Sequence, residues 1–184
     1  MQSHDIIILE KLRLGDSSAY KELFDLYYMP LSIYSFKYCD SFELAEDIVQ
    51  DLFIKFWDEK LYMNLDTAIG PYLFRSVKNN TLQATKKNNR YIFEEIEDQI
   101  HTLLDDDHLD MDFIEQEKKK LYEQIEALPL KSKEVFKAIV LNNLKYKEVA
   151  LELGISVNTV KTHYSRALKQ LRNSLDIIIT VLIV

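Results

Sequence analysis

The sequence predicts an all-α protein of two small helical domains joined by an acidic linker, and three observations predict it. Apolar residues recur at three- and four-residue steps along most of the chain, and no strand-turn-strand alternation interrupts them. Only three glycines and three prolines occur in 184 residues, too few for the many turns of an all-β protein, while 47% apolar residues suffice for packed cores. Charge is also segmented. Residues 1–70 hold 6 Lys and Arg against 13 Asp and Glu, and 71–93 hold 5 against none. Residues 94–117 hold none against 11, and 118–184 hold 12 against 6. The expected domains are therefore 1–93 and 118–184, with 94–117 between them.

Taken in order, Asp16 and Ser17 can cap a helix running through Ala19, Tyr20, Leu23, Phe24 and Tyr27. Pro30 marks a break, or the first turn of a next helix carrying Leu31, Tyr34 and Tyr38. Ser41 caps the following helix, with Leu44, Ile48, Leu52 and either Lys55 or Phe56 on one face. Glu43, Glu46, Asp47, Gln50 and Asp51 line another. Val49, Phe53 and Trp57 add a further apolar row, so this helix is either central in a bundle or has one face awaiting a protein partner. Gly70 and Pro71 signal a new helix start, with Leu73, Val77 and Leu82 inward. Arg75, Lys78, Asn79, Gln83, Lys86 and Lys87 are left to solvent, where cations suit phosphates and amides suit base edges. A plainly solvated basic helix is the competing reading.

The connector EEIEDQIHTLLDDDHLDMDFIEQE repels itself and favours an extended chain, although Ile96, Ile100, Leu103 and Leu104 could support a short helical piece. It is either a solvated linker or a mimic of nucleic acid. The cluster Asp105, Asp106, Asp107, His108, Asp110 and Asp112 lacks the glycine and the terminal glutamate of a calcium loop, so no metal is expected.

The stretch YKEVALELGISVNTVKTHYSRALKQL, Tyr146 to Leu171, carries the strongest local pattern, a helix-turn-helix. Val149, Ala150 and Leu153 form a buried stripe, and Gly154 suits the left-handed cap that ends a helix. Ile155 fills the corner, and Ser156 can cap the second helix by accepting from the N–H of Asn158 or Thr159. Val160, Tyr164, Ala167, Leu168 and Leu171 face inward. Asn158, Thr159, Lys161, Thr162, Ser165, Arg166 and Lys169 form an acid-free opposite face, short polar groups first and longer cations further on, as base edges and phosphates require. An amphipathic hairpin with a merely solvated face is the alternative. The net charge of -7 does not oppose DNA binding, because phosphate contacts act over about a Debye length, roughly 8 Å at physiological salt.

The single Cys39 can form no internal disulfide and has no spaced Cys or His partners, which predicts a partly buried thiol in a reducing compartment. No basic segment followed by an apolar run opens the chain, so a cytoplasmic protein is expected. The apolar run Ile177 to Val184 is too short for a bilayer, which needs roughly 20 residues. A helix end or docking segment is expected there.

Three blocks together resemble the extracytoplasmic-function sigma factors of bacterial RNA polymerase. AEDIVQDLFIKFW at Ala45–Trp57 resembles sigma region 2.2, YLFRSVKNNTLQATKK at Tyr72–Lys87 resembles regions 2.3 to 2.4, and Leu128–Arg172 resembles region 4. The resemblance implies a protein without catalytic chemistry or cofactor that binds the polymerase core and directs it to promoters. Asp47, Gln50, Asp51, Phe53 and Trp57 fall in the block used against the clamp of the largest catalytic subunit, some of them being core instead. The flap of the second subunit is implied as a further contact. Arg75, Lys78, Asn79, Asn80, Gln83, Lys86 and Lys87 fall where the minus-10 element is engaged, and Asn64 lies near the pocket for a flipped base. Gln83 and Ala84 depart from the acidic residue and aromatic or histidine that many members carry, which puts the details of minus-10 reading in question. Ser156, Asn158, Thr159, Lys161, Thr162, Ser165, Arg166 and Lys169 would face the minus-35 element. The acidic connector matches the family's linker toward the RNA exit path, which favours mimicry of nucleic acid. An anti-sigma factor is the implied regulator.

Two other readings compete. ISVNTVKTH is also close to a response-regulator output domain, against which stands a first region without a receiver's alternating strands and helices. An interaction protein or metal-regulated adaptor would use Val49, Phe53 and Trp57 for docking and the acidic segment for a cation. An enzyme is the weakest reading, since His4, His101, His108 and His163 have no recognisable nucleophile, acid-base pair or phosphate-cradling glycine loop around them.

Overall fold

The structure, a computed structural model, describes residues 2–65, 69–86 and 111–183. The described residues fall into two units, one drawn from Met1–His108 with Ile179–Val184 and one from Leu109–Ile178. No strand occurs among them, and the fold class is all-α as the periodicity predicts.

The first unit comprises α1 (Gln2–Arg13), α2 (Ser17–Phe36), α3 (Phe42–Asp58), a 3₁₀ turn (Leu61–Asn64) and α4 (Ile69–Lys86). Asp16 caps α2 by accepting from the N–H of Ser18 at 2.8 Å, and Ser41 caps α3 by accepting from the N–H of Leu44 at 3.2 Å. Pro30 breaks nothing. It lies inside α2, where every residue from Pro30 to Phe36 is buried. A proline in a helix interior costs about 3 kcal/mol, and burial of an adjoining turn and a half of side chains outweighs that.

Helix α3 packs against α2, α4 and the 3₁₀ turn, so its wide apolar circumference is explained by a central position. Val49, Phe53 and Phe56 are fully enclosed while Lys55 is exposed. Phe53 lies 4.9 Å from Phe24 and 6.2 Å from Tyr20 between ring centres, and Trp57 sits half-buried 4.7 Å from Tyr20. Glu46, expected on the solvent face, is 2% exposed because the Tyr28 hydroxyl donates to its carboxylate at 3.1 Å. A buried carboxylate is tolerable where it has such a donor.

Polar contacts also fix α4. Asp5 on α1, 1% exposed, accepts from the Tyr27 hydroxyl at 2.7 Å and from the Gly70 N–H at 2.9 Å. It thereby satisfies a first-turn donor of α4 that has no partner within the helix. A Cβ at Gly70 would stand 2.7 Å from the Tyr27 hydroxyl oxygen, so only glycine lets that ring approach. Further along, Thr81 donates to the Val77 carbonyl at 2.8 Å, which makes Ser35 on α2 the donor in the 2.7 Å bond between their hydroxyls. Thr81 thus takes the inward place expected of Leu82, which is only half-buried.

Burial, reinforced by Asp5 for Tyr27 and by Glu46 for Tyr28, raises both phenols well above the ordinary tyrosine value of 10.0. The neutral phenol is therefore the form the folded state favours, whereas the unfolded chain ionises near pH 10.0. Their contribution is complete below that pH and is lost as pH rises past it. The thermal midpoint of the first unit is expected to fall steeply above pH 10, and the fall is shallower in a Tyr27→Phe, Tyr28→Phe double variant. An equal pH dependence in the two proteins would refute the role of these phenols.

The second unit contains α5 (Met111–Glu126), α6 (Leu130–Val140), α7 (Tyr146–Leu153), α8 (Val157–Gln170), a 3₁₀ turn (Arg172–Ser174) and the start of α9 (Leu175–Ile183). Helix α5 begins at Met111, inside the stretch expected to be linker, and the rest of that stretch with its Asp105–Asp110 cluster lies outside the described residues. Glu126, near the end of α5, accepts from Lys137 and from Lys133 on α6, and these two ammonium groups hold its carboxyl below the usual range. The C-terminal apolar run is helical to Ile183, with Ile178 and Ile179 buried. Cys39 is buried as well. No described helix is long and apolar enough to cross a membrane.

Candidate nucleic-acid interface

Local chemistry sets the turn between α7 and α8. Gly154 ends α7 at φ 63°, ψ 35°, the left-handed conformation that costs glycine nothing, and the Ile155 N–H returns to the Ala150 carbonyl at 3.0 Å. At the other end Glu148 reaches back to accept from the Lys145 N–H at 2.6 Å. Ser156 caps α8 by accepting from the Thr159 N–H at 3.0 Å. Of the two donors the spacing allowed, Thr159 is the one used.

Packing then decides which face of α8 is presented. Val160, Tyr164, Ala167 and Leu168 are buried against α6 and α7. Tyr164 lies between Phe136 and Tyr146, 6.1 Å from each ring centre. Asn158, Thr162, Arg166 and Lys169 are the exposed ridge opposite, while Thr159, Lys161 and Ser165 are half-buried along its sides. The Lys161 ammonium lies 5.6 Å from the Tyr146 ring centre, a cation-π distance. Arg166 and Lys169 are exposed and have no acidic partner among the described residues.

An open groove of about 280 Å³ runs beside this ridge, lined by Pro129, Lys131, Ser132, His163, Arg166 and Lys169 among others. Ser132 and the Nδ1 of His163 meet across it at 3.4 Å. Helix α6 opens on Pro129, which supplies no side-chain acceptor, so its first N–H groups have no capping partner. Positive helix end, Lys131, Arg166 and Lys169 together give a surface suited to a phosphate backbone passing the end of α6 while α8 enters a groove. Lys131 also pairs with Glu134 at 3.0 Å. Sequence reasoning missed this groove, since Ser132 and His163 stand 31 residues apart with no motif joining them.

In the first unit Arg75, Asn79 and Gln83 form an exposed row at four-residue steps on α4, with Lys78 and Asn80 half-buried at its edges. Lys86 ends the helix and Lys87 lies outside the described residues. Asn64 is exposed at the end of the 3₁₀ turn. On α3, Asp47, Gln50 and Asp51 are exposed, Gln50 donating to the Tyr28 hydroxyl at 3.2 Å. Phe53 belongs to the core and offers no surface to a partner, and Trp57 offers only part of its ring. No group of three or more His, Cys, Asp or Glu among the described residues is placed to hold a metal.

Residues 118–171 match the family described as Sigma-70, region 4, a span that covers α7, the turn, α8 and most of the helices that brace them. The chain carries a sigma-70 region 4. The sequence resemblance to sigma factors therefore holds over the last of its three blocks, which contains the exposed ridge of α8. Among solved structures, the chain is similar to the sigma factor RpoE in complex with the anti-sigma factor NepR from Bartonella quintana. That similarity has 20% identity and a TM-score of 0.34, over 85% of this chain and 96% of that one. A similarity of that size assigns nothing further to this chain. No curated protein matches it.

Proposed function

We propose that this protein is an alternative sigma factor of the extracytoplasmic-function kind, which binds bacterial RNA polymerase core and directs it to promoters. The observation that carries the proposal is the region 4 match over 118–171, on a helix-turn-helix whose second helix presents Asn158, Thr162, Arg166 and Lys169 with no acidic partner among the described residues. In this reading α8 lies in the major groove of the minus-35 element, and the groove at the start of α6 takes the adjacent phosphates.

The row Arg75, Asn79 and Gln83 on α4 serves the minus-10 element, with Lys86 and Lys87 next in the sequence and Asn64 beside a flipped base. Its support is a stretch of sequence, 71–93, that holds no Asp or Glu. Asp47, Gln50 and Asp51 on α3, with the exposed part of Trp57, form the surface for the polymerase clamp. The flap of the second subunit and an anti-sigma factor complete the partners of this reading, and the place of action is the cytoplasm.

Run-off transcription by purified bacterial core polymerase on a genomic promoter pool, with and without the full chain, tests the proposal. Promoter-specific transcripts are expected only when the chain is added. DNA bound without core, and no such transcripts, would instead indicate a regulator that binds DNA by itself.

A further inference from the structure

Four short polar side chains open α8 and its cap, and their hydrogen bonds divide them. The hydroxyls of Ser156 and Thr159 are 2.8 Å apart and bond to each other, while Ser156 also accepts from the Thr159 N–H. The Thr162 hydroxyl donates to the Asn158 backbone carbonyl at 2.9 Å. The Asn158 side-chain amide has no hydrogen-bond partner among the described residues and is exposed on the first turn. Of the groups at the end of α8 that enters a groove first, it is the one amide, and it holds its uncommitted donor and acceptor side by side in one plane.

We infer that Asn158 is the base-specifying residue of this domain and that it reads an adenine in the major groove of the upstream promoter element. The inference rests on the reading of α8 as a minus-35 recognition helix. A carboxamide is complementary to adenine alone among the four bases, donating to N7 and accepting from the N6 amino group at once. Thr162, one turn on, has its only donor committed to the helix, which leaves its methyl group and its oxygen lone pairs for the duplex. Arg166 and Lys169 follow on the same ridge, far enough from the helix start to serve phosphates, whose contacts position the helix without carrying sequence. Specificity is thereby concentrated at the first turn, with affinity further along.

The test uses a promoter pool randomised in the upstream element, transcribed by core polymerase with the full chain. The same pool is offered to the full chain alone, and bound duplexes are sequenced. The native chain is expected to prefer an A·T pair at one position by roughly 5- to 150-fold. Asn158→Ala is expected to abolish that preference and leave those at other positions in place. Asn158→Gln, which keeps the carboxamide, is expected to retain part of it, and Lys169→Ala is expected to weaken all sequences alike. An unchanged thermal midpoint in each variant separates lost reading from lost fold. Retention of every native preference by Asn158→Ala, or a uniform loss with none selective, overturns the inference. Selection of bound duplexes that depends on Asn158, without promoter-directed transcription, leaves the inference standing and removes the sigma reading. Transcription with no position dependent on Asn158 does the reverse, and a chain that neither binds nor transcribes removes both.

Discussion

Replacing Asp5 with alanine is expected to destabilise the first unit by about 3 kcal/mol, a large share of the 5–15 kcal/mol typical of a folded domain. The carboxylate is the acceptor for two buried donors, the Tyr27 hydroxyl and the Gly70 N–H. Without it each donor is left in an apolar interior at about 1–3 kcal/mol, and α4 loses the group that ties its first turn to α1. Tyr27→Phe removes one donor and keeps the other bond, so it should cost about 1 kcal/mol. The double variant should cost less than the sum, because a ring without its hydroxyl no longer needs the acceptor that Asp5→Ala removes. Trp57 is the single tryptophan and lies in this unit, so urea unfolding followed by its fluorescence reports the right transition. A loss under about 1 kcal/mol for Asp5→Ala would mean that water replaces the carboxylate at little cost, and that the network does not hold α4.

Arg166→Glu is expected to reduce promoter-specific transcription on the order of 100-fold while leaving the fold intact. Arg166 is exposed and makes no ion pair among the described residues, so none of their bonds is lost with it. In the proposed reading its place on the ridge beside Lys169 and the groove at Pro129 and Lys131 sets it against DNA, where a carboxylate meets phosphate charge with no counterion. Arg166→Ala should be the intermediate case, about tenfold weaker, with a salt dependence shallower by about one unit of slope. Run-off transcription and binding measured across a salt series give both quantities. Native activity in the glutamate variant would move the DNA-facing surface elsewhere.

The sequence alone carried the helix-turn-helix in detail. Gly154 ending α7, Ser156 starting α8 and the inward row Val160, Tyr164, Ala167 and Leu168 stand in the structure as their spacing predicts. Each of these signals is local. A left-handed cap, a hydroxyl accepting from an N–H three residues on and a 3.6-residue stripe involve neighbours within about one turn, so a linear reading recovers them. The all-α class follows from the same periodicities summed along the chain.

Tertiary packing decided the rest. Pro30 continues a helix because its neighbours are buried, and Phe53 is enclosed because α3 lies among α2, α4 and the 3₁₀ turn. Glu46 turns inward to meet Tyr28, Ser35 meets Thr81 across 46 residues, and Asp5 meets Gly70 across 65. Nothing at Asp5 signals that a glycine so distant will present an N–H lacking a helical partner. A buried polar group is stable only beside its complement, and which complement arrives depends on how whole helices pack, whereas a cap or a stripe is settled by the turn it belongs to.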